Sequence, residues 1–243
     1  MANRYKPKEY WNRRLGSHFT LRGVGHFGFG EAYNEWLYRR KRRVIDACLS
    51  DVPLAGKAVL DIGCGTGFFV DWYRKRGAIV TGIDITDVAI ERLRARFDSE
   101  FFTQDIADPD FTPPRAFDVV NMWDVIYHVT DPDAFARALD NVAKSLAPGG
   151  RFLFTDTFGA DADVQVADHV RMRCLATYRR ELSARGLEFV ELRPLYRFLN
   201  TPHFGKWDDR LGGLFFALDC IAPRITRNGL ALGVWRKPAG AAS

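Results

Sequence analysis

A chain of 243 residues, 47% apolar, with 35 basic against 30 acidic side chains, can bury one sizeable core and is too apolar to be disordered. It has no apolar run of bilayer length, its start Met1-Ala2-Asn3-Arg4-Tyr5-Lys6 lacks a secretory leader's apolar stretch, and Cys48, Cys64, Cys174 and Cys220 form no C-x-x-C pair. A cytoplasmic protein with reduced thiols is expected, and the formal charge of +5 permits anionic partners without requiring them.

Residues 1–50 read as an N-terminal helical and aromatic cap. Tyr5, Tyr10, Trp11, Phe19, Phe27 and Phe29 alternate with basic residues, while Gly23, Gly25, Gly28 and Gly30 interrupt regular structure. No predicted strand precedes these glycines, so they make a poor phosphate loop. The segment is either an aromatic lid over a small-molecule pocket, with His26 touching substrate, or a helix packed on the domain. A helix is expected from Glu31 to Leu49. Its run Arg39-Arg40-Lys41-Arg42-Arg43 reads as a solvated face in preference to a phosphate-binding patch.

Residues 51–243 carry the main domain. Val59 to Ile62 is a short buried strand, followed by Gly63, Gly65 and Gly67 at every second position. Bare backbone there turns strand into helix and lets a ligand approach. A dinucleotide fingerprint would need its third glycine where Phe68 stands. The helix runs through Arg76 to a stop at Gly77, and Ala78–Ile83 is the second strand, closing on Asp84. A carboxylate at that edge, about twenty residues past the glycines, can accept the ribose hydroxyls of an adenosine. Thr86 is expected to cap a helix to Phe97.

Glu100–Thr103 is the third strand, and Phe117–Met122 the fourth, feeding Trp123-Asp124-Val125-Ile126-Tyr127-His128-Val129. If that segment turns helically, Asp124 and His128 share a face at i,i+4. The carboxylate would then orient the imidazole as a base that takes a proton from a hydroxyl; otherwise His128 is a helix-face histidine bonded within the fold. Asp131-Pro132-Asp133 opens a helix to Leu146, Ala147–Gly150 is a turn, and Arg151–Thr155 the fifth strand. Asp156 orients substrate or caps a turn. Residues 161–168 read as irregular, and His169 and Arg171 as candidates for the acceptor side. Tyr178–Arg185 is a helix, Leu187–Leu192 and Leu230–Arg236 are strands six and seven. The insert 194–228 is longer than a hairpin needs, with a helix at Leu211–Ile221. Phe198, His203, Phe204 and Trp207 make it a possible substrate lid.

The run Asp61-Ile62-Gly63-Cys64-Gly65-Thr66-Gly67 resembles motif I of the class I S-adenosylmethionine-dependent methyltransferases. Trp123–Val129 resembles the family's motif IV, and Leu146-Ala147-Pro148-Gly149-Gly150 its turn before strand five. The resemblance implies an α/β fold: a Rossmann-like, seven-stranded, mostly parallel sheet with an antiparallel terminal strand, flanked by helices in three layers. It implies that Asp61, Gly63, Cys64, Gly65, Gly67, Asp84, Ile85, Asp105, Ile106 and Trp123 hold S-adenosyl-L-methionine, released as S-adenosyl-L-homocysteine. Asp105 would take the adenine amino group and Ile106 the purine face, although Asp105 fits an N-cap equally well.

The sulfonium is already an activated leaving group, so positioning carries most of the acceleration. The favoured reading is O-methylation of a small metabolite such as a sugar, polyketide or phenol, with His128 and Asp124 catalytic. N- or C-methylation and RNA methylation are alternatives. The stretch Asn121-Met122-Trp123-Asp124 lacks the Asn/Asp-Pro-Pro-aromatic motif that grips a flipped base, so nucleic acid is not expected. A NAD oxidoreductase is disfavoured by Phe68, and a non-catalytic scaffold by the intact glycine turn. No metal is expected, and the chain would act as a monomer or homodimer.

Overall fold

The computed structural model describes residues 5–199, 208–227 and 229–240. Three helices lead: α1 (Pro7–Ser17), started by its proline; α2 (Leu21–Val24); and α3 (Glu31–Cys48). Then come β1 (Ala58–Ile62), α4 (Phe68–Arg74), β2 (Ile79–Asp84), α5 (Asp87–Arg96), β3 (Glu100–Thr103) and β4 (Phe117–Met122). A single 3-10 turn at Ile126–His128 precedes α6 (Pro132–Ser145) and β5 (Leu146–Asp156). A hairpin of β6 (Val164–Ala167) and β7 (Val170–Met172), α7 (Leu175–Ser183), β8 (Glu188–Pro194), α8 (Asp208–Ile221) and β9 (Ala231–Arg236) complete the chain.

The seven-stranded sheet has the order β3-β2-β1-β4-β5-β9-β8. All pairings are parallel except those of β9, which runs against both β5 and β8. Alternation along the strands sorts the core. Val59, Val80, Val119 and Leu153 face α3, α4, α5 and α8; Leu60, Ile83, Val120 and Phe152 face α6 and α7. The result is the expected three-layer α/β sandwich. Among the described residues no helix is long and apolar enough to cross a membrane.

Several boundaries differ from expectation. Strand five starts at Leu146 because Leu146 pairs with Phe117, and Pro148-Gly149-Gly150 rides within the strand beside a register shift. Residues 161–168 are not irregular throughout: β6 pairs with β7, its valines exposed. Thr86 sits at the N-cap of α5, yet its hydroxyl turns back to Asp84 Oδ1 at 2.7 Å and does not cap the helix; Val88 N in the first turn donates to Asn12 Oδ1 instead. The basic run of α3 is not wholly solvated. Arg39, Arg42 and Arg43 are exposed, but Arg40 donates to the carbonyls of Pro194 and Leu195, and Lys41 is buried. In the insert, α8 packs on α3, with Trp36 against Phe216 and Phe198 against the core. His203, Phe204 and Trp207 lie outside the described residues.

Candidate active site

At the carboxyl edge of β1 the chain must leave a strand buried on both faces and enter α4. Gly63, Gly65 and Gly67 make the bend with φ of +69°, +49° and +79°. Space demands glycine as well: a Cβ on Gly63 would stand 2.3 Å from Val125 Cγ2. The bend is tied to β2, since Gly63 N and Cys64 N both donate to the Ile83 carbonyl, at 2.8 and 3.1 Å. Gly65 N donates to Asp84 Oδ2 at 3.0 Å.

Asp84 is buried at the tip of β2, and burial raises its pKa. Oδ1 already accepts from Thr86 N and Thr86 Oγ1, so one acceptor site remains on Oδ2 beyond the bond from Gly65. On the other flank Asp61 accepts from Asn121 Nδ2 at 2.6 Å; these two face each other in the β1–β4 register. Burial holds the Asp61 carboxyl up at about 7, with Asn121 pulling it down and Asp84 pushing it further up. Asn121 Oδ1 accepts the Trp123 indole N–H at 2.6 Å, and the indole stacks on Phe69 with centroids 4.6 Å apart.

Asp61, Gly63, Gly65, Asp84, Trp123 and Phe69 line one cleft of about 710 Å³. Ile85, Asp105 and Ile106 are part of its lining, with Asp105 Oδ1 accepting from Ala107 N at 2.8 Å. Tyr5, Trp11 and Leu15 of the N-terminal segment, Asp124 and His128, and Gln165 and Asp168 from β6 and the β6–β7 turn line the same cleft. Every expected donor-side residue except Gly67 lines it: Asp61, Gly63, Cys64, Gly65, Asp84, Ile85, Asp105, Ile106 and Trp123. Gly67 stands one residue behind, at the N-cap of α4.

Asp124 and His128 both reach the cleft without bonding each other. Asp124 is in the left-handed region, φ +56°, where a non-glycine residue is strained. Its N–H donates to Thr155 Oγ1 at 2.7 Å, that hydroxyl donates to Asp124 Oδ1 at 2.9 Å, and Lys41 Nζ donates to Oδ2. Burial pushes the Asp124 carboxyl up, but the Lys41 ammonium together with the Thr155 hydroxyl and His128 brings the pKa below its ordinary value. The 3-10 turn replaces the helix that would have set Asp124 beside the imidazole. His128 Nδ1 lies 2.7 Å from the His169 carbonyl. A carbonyl only accepts, so Nδ1 carries the proton and Nε2 the lone pair. Burial lowers the His128 pKa to about 4, despite the opposing effect of that hydrogen bond.

The remaining acceptor-side candidates are dispersed. His26 pairs with its own loop and Asn34, away from the cleft lining. Asp156 is fully buried behind the sheet edge, accepting from Tyr178 OH, Thr157 N and Arg173 N. The His169 ring packs on Tyr5 and Tyr10 and stacks on His128, with centroids 5.9 Å apart in the last case. Arg171 is half-buried in β7 and is not among the lining residues. Sequence reasoning missed Lys41; Arg173, which ends the stretch read as acceptor-side, is not among the lining residues and instead donates its guanidinium to the carbonyls of Ile126 and Val129 around the His128 turn.

Residues 33–192, well over half of the chain, match a family model described as a methyltransferase domain. The chain belongs to the class I S-adenosylmethionine-dependent methyltransferases. A ubiquinone biosynthesis O-methyltransferase of Idiomarina loihiensis is 37% identical over 110 residues, which are 42% of this methyltransferase and 43% of that protein. The corresponding Pseudomonas fluorescens enzyme is 35% identical over 170 residues, 67% and 66% of the two chains. The match thus spans less than half the length of the first relative. The magnesium protoporphyrin IX methyltransferase of Synechocystis, solved with bound S-adenosylmethionine, superposes with a TM-score of 0.64 at 14% identity, covering 98% of this chain and 100% of that one. That likeness is one of fold. The donor of this methyltransferase family is S-adenosylmethionine. The chain fits it: bare backbone at Gly63 and Gly65, a free acceptor site on Asp84, and acidic groups facing a cationic ligand.

Proposed function

We propose that this methyltransferase methylates a hydroxyl of a small molecule. The observation that carries the reading is the neutral His128 imidazole, held with Nδ1–H on a carbonyl and Nε2 free, at the wall of the cleft that Asp84 and the glycine bend also line. S-adenosylmethionine, when bound, supplies the methyl as a sulfonium. Asp84 would tether its ribose, Asp105 and Ile106 its adenine, and Asp61 with the glycine bend its amino acid end. Tyr5, Trp11 and Leu15, which line the same cleft, would exclude water from it. His128 Nε2 would take the proton that the acceptor hydroxyl gives up as its oxygen is methylated. Among possible acceptors a phenol or catechol is favoured. The relatives are named as ubiquinone biosynthesis O-methyltransferases, and Trp11, Leu15, Tyr38 and Val129 give the cleft an apolar and aromatic wall.

Residues 51–243 are taken as the catalytic unit and 1–50 as its cap. RNA methylation has less support, because the basic run spends Arg40 and Lys41 inside the fold. The test is methyl transfer from isotope-labelled S-adenosylmethionine to a panel of phenols, catechols, sugars and aromatic amines, with bulk tRNA as a control. Labelled O-methyl product from the hydroxylated members is expected. Label only on amines or on tRNA would refute the proposal.

A further inference from the structure

Lys41 is a buried cation with no place in the donor cleft itself. It lies in α3, before β1, with a side chain 3% exposed, and it is ion-paired to Asp124. Asp124 is the residue that bends the chain out of β4, and its carboxylate, 16% exposed, stands at the cleft wall. The residues on either side of that bend are functional neighbours. Trp123 lines the cleft and stacks on Phe69. Val125 packs so closely on Gly63 that it occupies the space a Cβ would need. Four residues on, His128 faces the same cleft.

We infer that Lys41 is a positioning residue: its ammonium and Thr155 clamp the Asp124 carboxylate, hold the left-handed bend, and so set Trp123, Val125 and His128 against the donor cleft. The clamp makes the cap helix a structural part of the site. It requires Asp124 to stay ionised in a buried setting. The groups that face Asp124 are Lys41 and Tyr38 from α3, Tyr127 and His128 from the 3-10 turn, Thr155 from β5 and Tyr196 after β8. Lys41 supplies the one permanent positive charge among them. Its Nζ also lies 4.1 Å from the Tyr38 ring centroid, which shields the pair from water.

The inference rests on the donor-cleft reading, and two readouts keep the pair of ideas separable. K41M, K41R and K41M/D124N are compared with wild type by S-adenosylhomocysteine titration calorimetry and by thermal melts from pH 5.5 to 8. In K41M the buried carboxylate, without its cation, keeps a proton to higher pH than in the unfolded chain. The folded variant then binds more protons than the unfolded one, so its stability falls as pH rises. The Tm deficit of K41M against wild type is therefore expected to widen from pH 5.5 to 8 by about 3 °C or more. The deficit of K41M/D124N should stay flat. Affinity for S-adenosylhomocysteine should fall tenfold or more in K41M and return to within threefold of wild type in K41R. A K41M protein with wild-type affinity, or with a deficit that ignores pH, overturns the inference. If K41M does not fold, K41M/D124N buries no lone charge and takes the affinity measurement: a tenfold loss supports the clamp, wild-type affinity overturns it. A wild-type protein that binds no S-adenosylhomocysteine instead removes the donor-cleft reading, and the melts still decide whether Lys41 governs Asp124.

Discussion

Replacing Asp84 by alanine separates tethering of the donor from general folding of the site. Its carboxylate holds three protein donors, Gly65 N at 3.0 Å, Thr86 N at 2.9 Å and Thr86 Oγ1 at 2.7 Å, leaving one acceptor site for a ribose hydroxyl. A hydrogen bond to a charged group contributes about 1.5–3 kcal/mol. Loss of that one bond alone weakens donor affinity roughly 10- to 150-fold, at 1.4 kcal/mol per decade. If the Gly65 N–H yields its place to the second hydroxyl, the loss approaches the square of that range. Asp84 lines the cleft, so the space its side chain vacates opens onto it and admits water to the orphaned donors; the fold should survive. Titration calorimetry with S-adenosylmethionine and S-adenosylhomocysteine measures the effect, with circular dichroism checking the fold. Equal losses for both ligands are expected, because the ribose is common to them. Since burial raises the Asp84 pKa, wild-type affinity should also decline on acidification at a pH above that of an exposed aspartate. An Asp84→Ala protein that binds within threefold of wild type would refute the assignment.

Other perturbations test separate parts of the site. His128→Ala should leave S-adenosylhomocysteine affinity unchanged while lowering kcat for a hydroxylated acceptor about 10²- to 10⁴-fold. With its pKa lowered to about 4, His128 stays neutral through the physiological range, so the wild-type kcat/KM profile should lack an acid limb near 6.5. Gly63→Ala forces a Cβ at φ +69° against Val125 Cγ2; lost donor binding and a destabilisation of roughly 1–3 kcal/mol are expected from calorimetry and melts. Asp156, raised by burial to about 6, binds more protons folded than unfolded between the two pKa values. Its contribution to stability is therefore greatest below about pH 4 and declines by roughly 3 kcal/mol as pH rises through 6. Urea denaturation of Asp156→Asn should lack that decline; an unchanged pH dependence would count against it.

What was legible in the chain is what neighbouring residues decide among themselves. Gly63, Gly65 and Gly67 announce a bend because only bare backbone takes three left-handed φ values so close together, and Asp84 follows at the spacing one crossover imposes. Lys41 was illegible because its partner is 83 positions away and its neighbours Arg39, Arg42 and Arg43 are solvated. A run of like charges hides the one member that turns inward. The β6–β7 hairpin has exposed valines and no buried face, so hydropathy does not mark it. His128 suggested a carboxylate partner by its i,i+4 spacing, but the bond goes to a backbone carbonyl 41 residues on, which no side-chain pattern can report. At strand five, Pro148-Gly149-Gly150 signalled a break that Leu146 overrode by pairing with Phe117.

The lowered basicity of His128 constrains the order of events in the proposed reaction. A phenol of ordinary acidity, near 10, cannot give its proton outright to an imidazole near 4 without a cost of about 8 kcal/mol. Full ionisation before methyl transfer would therefore add most of that cost to the barrier. A hydroxyl oxygen that has begun to bond the methyl becomes strongly acidic, and then even a weak base accepts its proton downhill. Burial thus suits His128 to concerted transfer: with its pKa lowered to about 4 it enters the reaction neutral, its ring packed edge-on against Trp11 with centroids 5.1 Å apart. The consequence separates base from bystander. The damage done by His128→Ala should shrink as the acceptor grows more acidic and vanish for one already ionised, whereas a merely structural histidine would cost every acceptor alike.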